Sequence, residues 1–183
     1  MYLDKKMRFL QGDKIYLRAI SKSDVNENYL HWLNDKETTK GLASGLFPSS
    51  LTELEQFVDR AIQSKDVVLF AICDASNDHH IGNIKIDHFD WVSRTCELGL
   101  LIGDKNYWGK GVGYEACKLT LHYAFHSLNI RKVLLAVYDN NPAALGLYKK
   151  LGFQLEGTLR KQVFDDGTYY DKHLMGLFTE ELR

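Results

Sequence analysis

The run Tyr107-Trp108-Gly109-Lys110-Gly111-Val112-Gly113-Tyr114 holds residue types that could do chemistry together. Its three glycines alternate just before a helical stretch. Glycine lets the chain turn tightly and brings backbone close to a ligand with no Cβ in the way. Successive N–H groups at a helix start, helped by the helix dipole, hold an anion such as a pyrophosphate. Lys110 and Lys105 could add positive charge. By itself a glycine-rich turn is a weak signal. No Lys-Ser/Thr follows the last glycine, so this is not a Walker loop, and the strict alternation is not the G-x-G-x-x-G of a dinucleotide fold.

Three other residues stand out. Glu97 interrupts a strand that is otherwise apolar or glycine from 96 to 102, so it either faces solvent or lines a cleft. Tyr148 shares a helix face with Ala144 and Leu151. From spacing alone it is a core tyrosine packed on a sheet. Asn141, directly before Pro142, reads as a helix cap. His79-His80 beside Asp78 lack further ligands at zinc spacing, so no metal is expected and a solvated loop is the reading. His88 follows Asp87 at a strand end, where an acceptor could sit.

These residues need elements to position them. Alternation predicts a first strand over 14–20. Ser21 or Ser23 caps a helix with Val25, Tyr29, Trp32 and Leu33 on one side. Residues 36–50, with Gly41, Gly45 and Pro48, read as a long loop. A second helix starts near Leu51, with Thr52 and Glu55 as a capping box. Strands follow over 67–73, 81–88 and 94–102, the last two a hairpin. A helix covers 111–129, and an unbroken apolar strand over 133–138 reads as buried on both sides. A helix over 142–151 and two closing strands around Asp165-Asp166-Gly167 complete the order β-α-α-β-β-β-α-β-α-β-β. That is an α/β or α+β class, with a mixed sheet and helices on both faces.

The chain has 183 residues and reads as one domain over 1–183. A formal net charge of −1 argues against a nonspecific nucleic-acid binder. No apolar run reads as a signal peptide or a membrane span. Three cysteines, far apart and without a CxxC pair, read as small buried thiols in a reducing cytoplasm.

With these segments in place, the chain resembles the GNAT superfamily of acetyltransferases, in particular its RimJ/RimL-like branch. The family's cofactor loop, Q/R-x-x-G-x-G/A, matches Trp108 to Gly113, with Trp108 in place of the usual Gln or Arg. A second block, Asn141-Pro142-Ala143-Ala144 with Leu147-Tyr148-Lys149-Lys150-Leu151-Gly152-Phe153, matches the family's N-x-x-A/S and Y-x-K-L-G-F. Leu17-Arg18 with Asp24, Cys96-Glu97-Leu98-Gly99, and the Gly-Thr-Tyr-Tyr-Asp hairpin agree as well.

The resemblance implies a sheet splayed between two parallel strands, here 94–102 and 133–138, with acetyl-CoA as co-substrate in the gap. It implies cofactor contacts from Ile102, Gly103, Trp108, Gly109, Lys110, Gly111, Val112, Gly113 and Asn141. Amides at Ile102 and Gly103 would polarise the thioester carbonyl. Tyr148 would sit at the thioester sulfur as proton donor. Glu97 would be the base, acting through water on the attacking ammonium, although some members use no fixed base. A non-catalytic CoA-binding module is the contrasting class; it is expected to lose Tyr148 or the glycines, and both are present.

The implied acceptor site uses loop 36–50, hairpin 87–95 and hairpin 160–170. Trp32, Phe47, Phe89, Trp91, Phe164, Tyr169 and Tyr170 lie in or beside them, amid mixed charge. A protein N-terminal amine and a nucleotide-linked amino sugar rank equal as acceptors, the latter by analogy of Trp32-Leu33-Asn34-Asp35. A polyamine or aminoglycoside is the alternative. A homodimer is possible in this family; no nucleic-acid or membrane partner is expected.

Overall fold

Side-chain alternation builds a sheet only where one face of each strand finds cover. In the computed structural model, which describes residues 7–183, eight strands join one sheet in the order β1-β2-β3-β4-β5-β6-β8-β7. Residues 1–6 and the side chain of Ala43 lie outside the described residues, so the reading of 1–183 as one domain extends beyond them. The strands are β1 (Leu10–Gln11), β2 (Ile15–Ala19), β3 (Val68–Asp74), β4 (His80–Asp90), β5 (Thr95–Ile102), β6 (Lys132–Tyr138), β7 (Gln154–Asp165) and β8 (Thr168–Phe178). The helices are α1 (Glu27–Asn34), α2 (Leu51–Gln63), α3 (Val112–His126) and α4 (Pro142–Leu151).

Two cores form, one on each face. Val112, Ala116, Cys117 and Leu121 of α3, with Tyr148 and Leu151 of α4, pack on Ile84, Ile86, Leu98, Val133 and Leu135. On the other face, Tyr29 and Trp32 of α1 and Leu54 and Val58 of α2 cover Tyr16, Leu69, Ala71 and Cys73. All three cysteines are buried and form no disulfide.

The sheet is antiparallel except for one pair. β5 and β6 run parallel, and their ladder covers only Thr95↔Lys132, Cys96↔Val133 and Glu97↔Leu134. Beyond Glu97 the two strands part, while β5 stays paired with β4 as far as Gly82↔Ile102. A gap therefore opens in the sheet between 98–102 and 135–138.

Several expectations shift. The first helix does not start at Ser21 or Ser23: Ser21 leads a short 3-10 turn, and Asn26 caps α1 by accepting from the Tyr29 N–H at 3.1 Å. The capping box of α2 is Ser50 with Glu53, not Thr52 with Glu55; the Ser50 N–H donates to Glu53 Oε2 at 2.8 Å and the Glu53 N–H to Ser50 Oγ at 3.3 Å. β6 is buried on one side only, because Ala136 on its other side is exposed beside the gap. The closing strands, expected over 153–159 and 169–178, run to Asp165 and from Thr168, around a turn in which Asp166 and Gly167 both have positive φ.

Candidate functional site

The glycine run forms the bend between β5 and α3. Gly109 and Gly111 have φ of +72° and +81°, the left-handed region where a Cβ is strained. Gly111 is the residue at which α3 begins. Gly113 packs closely on β5: a Cβ there would lie 3.3 Å from the Leu100 side-chain tip and 3.7 Å from Ile102. The indole N–H of Trp108 donates to the Ile102 carbonyl at 2.9 Å, tying the loop to the free end of β5.

A cleft of about 660 Å³ follows the gap. Ile102, Trp108, Gly109, Gly111, Val112, Gly113, Asn141 and Tyr148 all line it, with Ala136 and Val137 on its β6 side. Residues far apart in the chain thus meet, because α3 and α4 pack side by side on the two strands that diverge. Asn141 serves twice. Its Oδ1 accepts from the Ala144 N–H at 3.1 Å as the α4 cap, and its Nδ2 donates to the Lys40 carbonyl at 3.3 Å. That second bond holds loop 36–50 over the cleft.

Tyr148 is buried, and burial pushes its hydroxyl well above the ordinary tyrosine pKa. It stays protonated at neutral pH and can act as a proton donor. The cleft's fit to a long cofactor rests on three features. Two left-handed glycines and the start of α3 edge it, an unpaired strand edge forms its wall, and Gly113 keeps its floor free of a Cβ.

Gly103, Lys110, Lys105 and Glu97 are placed differently. The Gly103 N–H donates to the Ile81 carbonyl at 2.9 Å, so this amide is already paired and does not face the cleft. A Cβ at Gly103 would run into the Trp32 ring, which makes it a packing glycine. Lys110 lies on the outer side of the loop with Lys14. Lys105 is spent on loop 36–50, at 2.9 Å from Asp35 and 2.6 Å from Glu37. It holds the Asp35 carboxyl down at about 2. The cations beside the glycine loop are instead Lys14, whose Nζ donates to the Lys110 carbonyl at 3.0 Å, and Lys150, which lines the cleft. Neither carries a periodic signal in the sequence.

Glu97 lies outside the cleft. It ends the β5–β6 ladder and shares a cross-strand pair with Asp87. Its Oε2 is 3.7 Å from His88 Nδ1, which is 3.1 Å from Asp87 Oδ1. His88 has φ of +51°, so a strained backbone presents this imidazole between two carboxylates.

On the α1–α2 face a second cavity of about 440 Å³ lies against the same stretch of β5. Leu42, Leu100 and Leu101 line both cavities. Loop 36–50 contributes to it as expected, but none of the aromatics expected for the acceptor side lines it. Trp32 is buried, Phe89 stacks on Trp91 at 4.8 Å, and Phe164 and Tyr169 are exposed on the last hairpin. Tyr29 and Phe57 are the rings present, with Asn83 and Lys85 on the floor.

His79 is exposed and precedes β4, as the solvated-loop reading expects, but His80 is not in a solvated loop. An irregularity in the β3–β4 register turns His80 into the α1 core, edge-on to Trp32 at 5.2 Å. Among the described residues no group of three or more His, Cys, Asp or Glu could hold a metal ion. No helix of the described residues is long and apolar enough to cross a membrane.

The family model for the acetyltransferase (GNAT) domain matches residues 14–154. The chain belongs to the GNAT acetyltransferases. It is similar to the SPbeta prophage-derived uncharacterized N-acetyltransferase YokL of Bacillus subtilis, 30% identical over 170 residues covering 93% of each chain. It is also similar to spermidine N(1)-acetyltransferase of Escherichia coli K12, 29% identical over 168 residues, 91% of this chain and 87% of the other. The crystal structure of spermidine N-acetyltransferase from Vibrio cholerae in complex with CoA and spermine superposes with a TM-score of 0.84 at 26% identity. That match covers 93% of this chain and 98% of the other. This GNAT chain is an N-acetyltransferase that takes acetyl-CoA as donor.

Proposed function

We propose that this GNAT enzyme acetylates the primary amine of a small, hydroxyl-bearing acceptor of the amino-sugar class. The observation that carries the reading is the cavity on the α1–α2 face. It abuts the gap through Leu100 and Leu101, and its floor offers the neutral amide of Asn83. Glu53 is the one carboxylate among its lining residues, and it is engaged by Ser50. Such a lining suits a compact neutral body with hydroxyls better than a chain of ammonium groups. Loop 36–50, tied down at Lys40, disfavours the open groove that a protein N-terminus needs.

Acetyl-CoA supplies the activated acetyl group. The glycine loop and the start of α3 hold its phosphates, with Lys150 adding charge in the cleft and Lys14 bracing the loop from its outer side. Ile102, Trp108 and Asn141 border the pantetheine path. The acceptor amine approaches from the α1–α2 face. Tyr148, on the α3–α4 face, protonates the departing thiolate. Glu97, beside His88 and Asp87, takes the proton of the ammonium through water. These roles apply to one catalytic domain over 1–183, in the RimJ/RimL-like branch that the Tyr-Trp-Gly-Lys-Gly run suggests.

Polyamine acetylation is the second reading. It is favoured by the spermidine N(1)-acetyltransferases among the relatives and by the Asp87–Glu97 cross-strand pair of β4 and β5. CoA release measured with UDP-linked 4-amino sugars, glucosamine, spermidine and alanine-starting peptides separates the readings. Turnover of an amino sugar at the highest kcat/KM supports the first; a preference for spermidine sinks it.

A further inference from the structure

The floor of the acceptor-side cavity holds one buried amide whose hydrogen-bonding polarity is fixed by its neighbours. Asn83 on β4 is only 4% exposed. His80 Nε2 lies 3.0 Å from Asn83 Oδ1 and 3.0 Å from the Gly82 carbonyl oxygen. A carbonyl oxygen can only accept, so this nitrogen carries the proton and points it at both oxygens. The Oδ1 of Asn83 therefore faces His80, and its NH2 group is turned the other way. That Nδ2 has no hydrogen-bond partner among the described residues. Asn83 meanwhile lines the cavity. Buried amide donors are ordinarily satisfied, so this one calls for a partner, either a water or an oxygen of the molecule that fills the cavity.

The support beneath Asn83 is rigid. His80 is wedged edge-on between Trp32 at 5.2 Å and Tyr29 at 5.9 Å. Burial holds the imidazole below its ordinary pKa, so it stays neutral with its one proton committed to Nε2. Asn83 pairs across the sheet with Leu101, which lines both the acceptor cavity and the cofactor cleft. The amide thus sits one strand away from the gap where acetyl transfer is placed.

We propose that Asn83, oriented by His80, is a specificity residue that donates its Nδ2–H to a hydroxyl or carbonyl oxygen of the acceptor. The inference rests on the proposed amino-sugar reading and deepens it. An NH2 donor welcomes an oxygen and opposes an ammonium, since both would be donors. At this point of the cavity a sugar hydroxyl is preferred over a polyamine nitrogen. Discrimination of this kind is strong, because the wrong ligand leaves a buried donor unpaired.

The test uses the full chain and compares wild type with Asn83→Asp, Asn83→Ala and Asn83→Ser on glucosamine, a UDP-linked 4-amino sugar and spermidine. Asn83→Asp keeps the shape but replaces the donor with a charged acceptor. It is expected to lower kcat/KM for the better amino sugar by ~10-fold or more, mainly through KM, and to leave or raise that for spermidine. Asn83→Ser, which keeps a short donor, is expected to retain more amino-sugar activity than Asn83→Ala. Melting temperature and acetyl-CoA affinity near wild type exclude misfolding as the cause. If Asn83→Asp unfolds, the Ser and Ala pair decides. Amino-sugar turnover in wild type with no change of KM in any variant overturns the Asn83 role alone, leaving the amide paired with water. Wild-type turnover of spermidine only overturns the acceptor reading and this inference with it.

Discussion

At the scale of single residues, the proposed chemistry depends on Tyr148 and the left-handed glycines. Burial keeps the Tyr148 hydroxyl protonated. Replacement by Phe keeps the ring against Phe153 but removes the donor. Tyr148→Phe is expected to lower kcat by ~100-fold, the scale of a lost general acid, with the KM for acetyl-CoA nearly unchanged. An unchanged kcat in a steady-state CoA-release assay would remove Tyr148 from the chemistry. Gly111 has φ of +81°, where any side chain is strained by about 1 kcal/mol. Gly111→Val should weaken acetyl-CoA binding in calorimetry by more than Gly146→Ala, since Gly146 lies outside the loop with no atom near its Cβ position.

At the scale of elements, the gap depends on β5 and β6 pairing for three residues and then parting. Trp108 caps the Ile102 carbonyl at the end of β5, and Asn141 ties loop 36–50 to the start of α4 across the gap's mouth. The cavity on the α1–α2 face depends on α2, whose start is held by Ser50 and Glu53. Ser50→Ala is expected to cost about 1 kcal/mol in chemical denaturation. The same change at Thr52, which earns no cap bond, should cost less; equal losses would deny Ser50 its role. The helices and most strands were legible in the sequence because a period of 3.6 or 2 survives in one-sided burial. The caps were not. Ser21, Ser50 and Thr52 are all competent cap residues, and which one serves depends on where the packed stripe forces the first turn to begin.

At the scale of the whole molecule, the α1 side of the sheet hides a charged cluster. Arg18 and Asp24, 3% and 2% exposed, meet in two bonds of 2.7 Å. Asp24→Asn leaves a buried guanidinium half-paired and is expected to destabilise the fold by about 3–5 kcal/mol. His80 lies 3.9 Å from Asp24. Burial lowers its pKa, with Asp24 opposing and Arg18 assisting. A lowered histidine contributes stability that is complete above the unfolded value near 6.5 and is lost as pH falls below it. The melting temperature should therefore drop between about pH 7 and pH 5, and His80→Gln should flatten part of that slope. A slope unchanged by the variant would assign the loss to other groups.

The sequence by itself determined the element order except for the short edge strand β1, which carries too few residues to show a period, and the glycine bend before α3, because these are local patterns. It also placed Tyr148 and Asn141 beside the bend through family resemblance. Only the tertiary structure decided which neighbours compete for a group. Gly103 lost its free amide to Ile81, Lys105 its charge to Asp35 and Glu37, and His80 its solvent to Trp32. Lys14, just before β2, comes to lie against the glycine loop, and Asn83 of β4 lines the second cavity, both far from the loop in sequence. Periodicity records which face a residue takes; it does not record what another strand brings to that face.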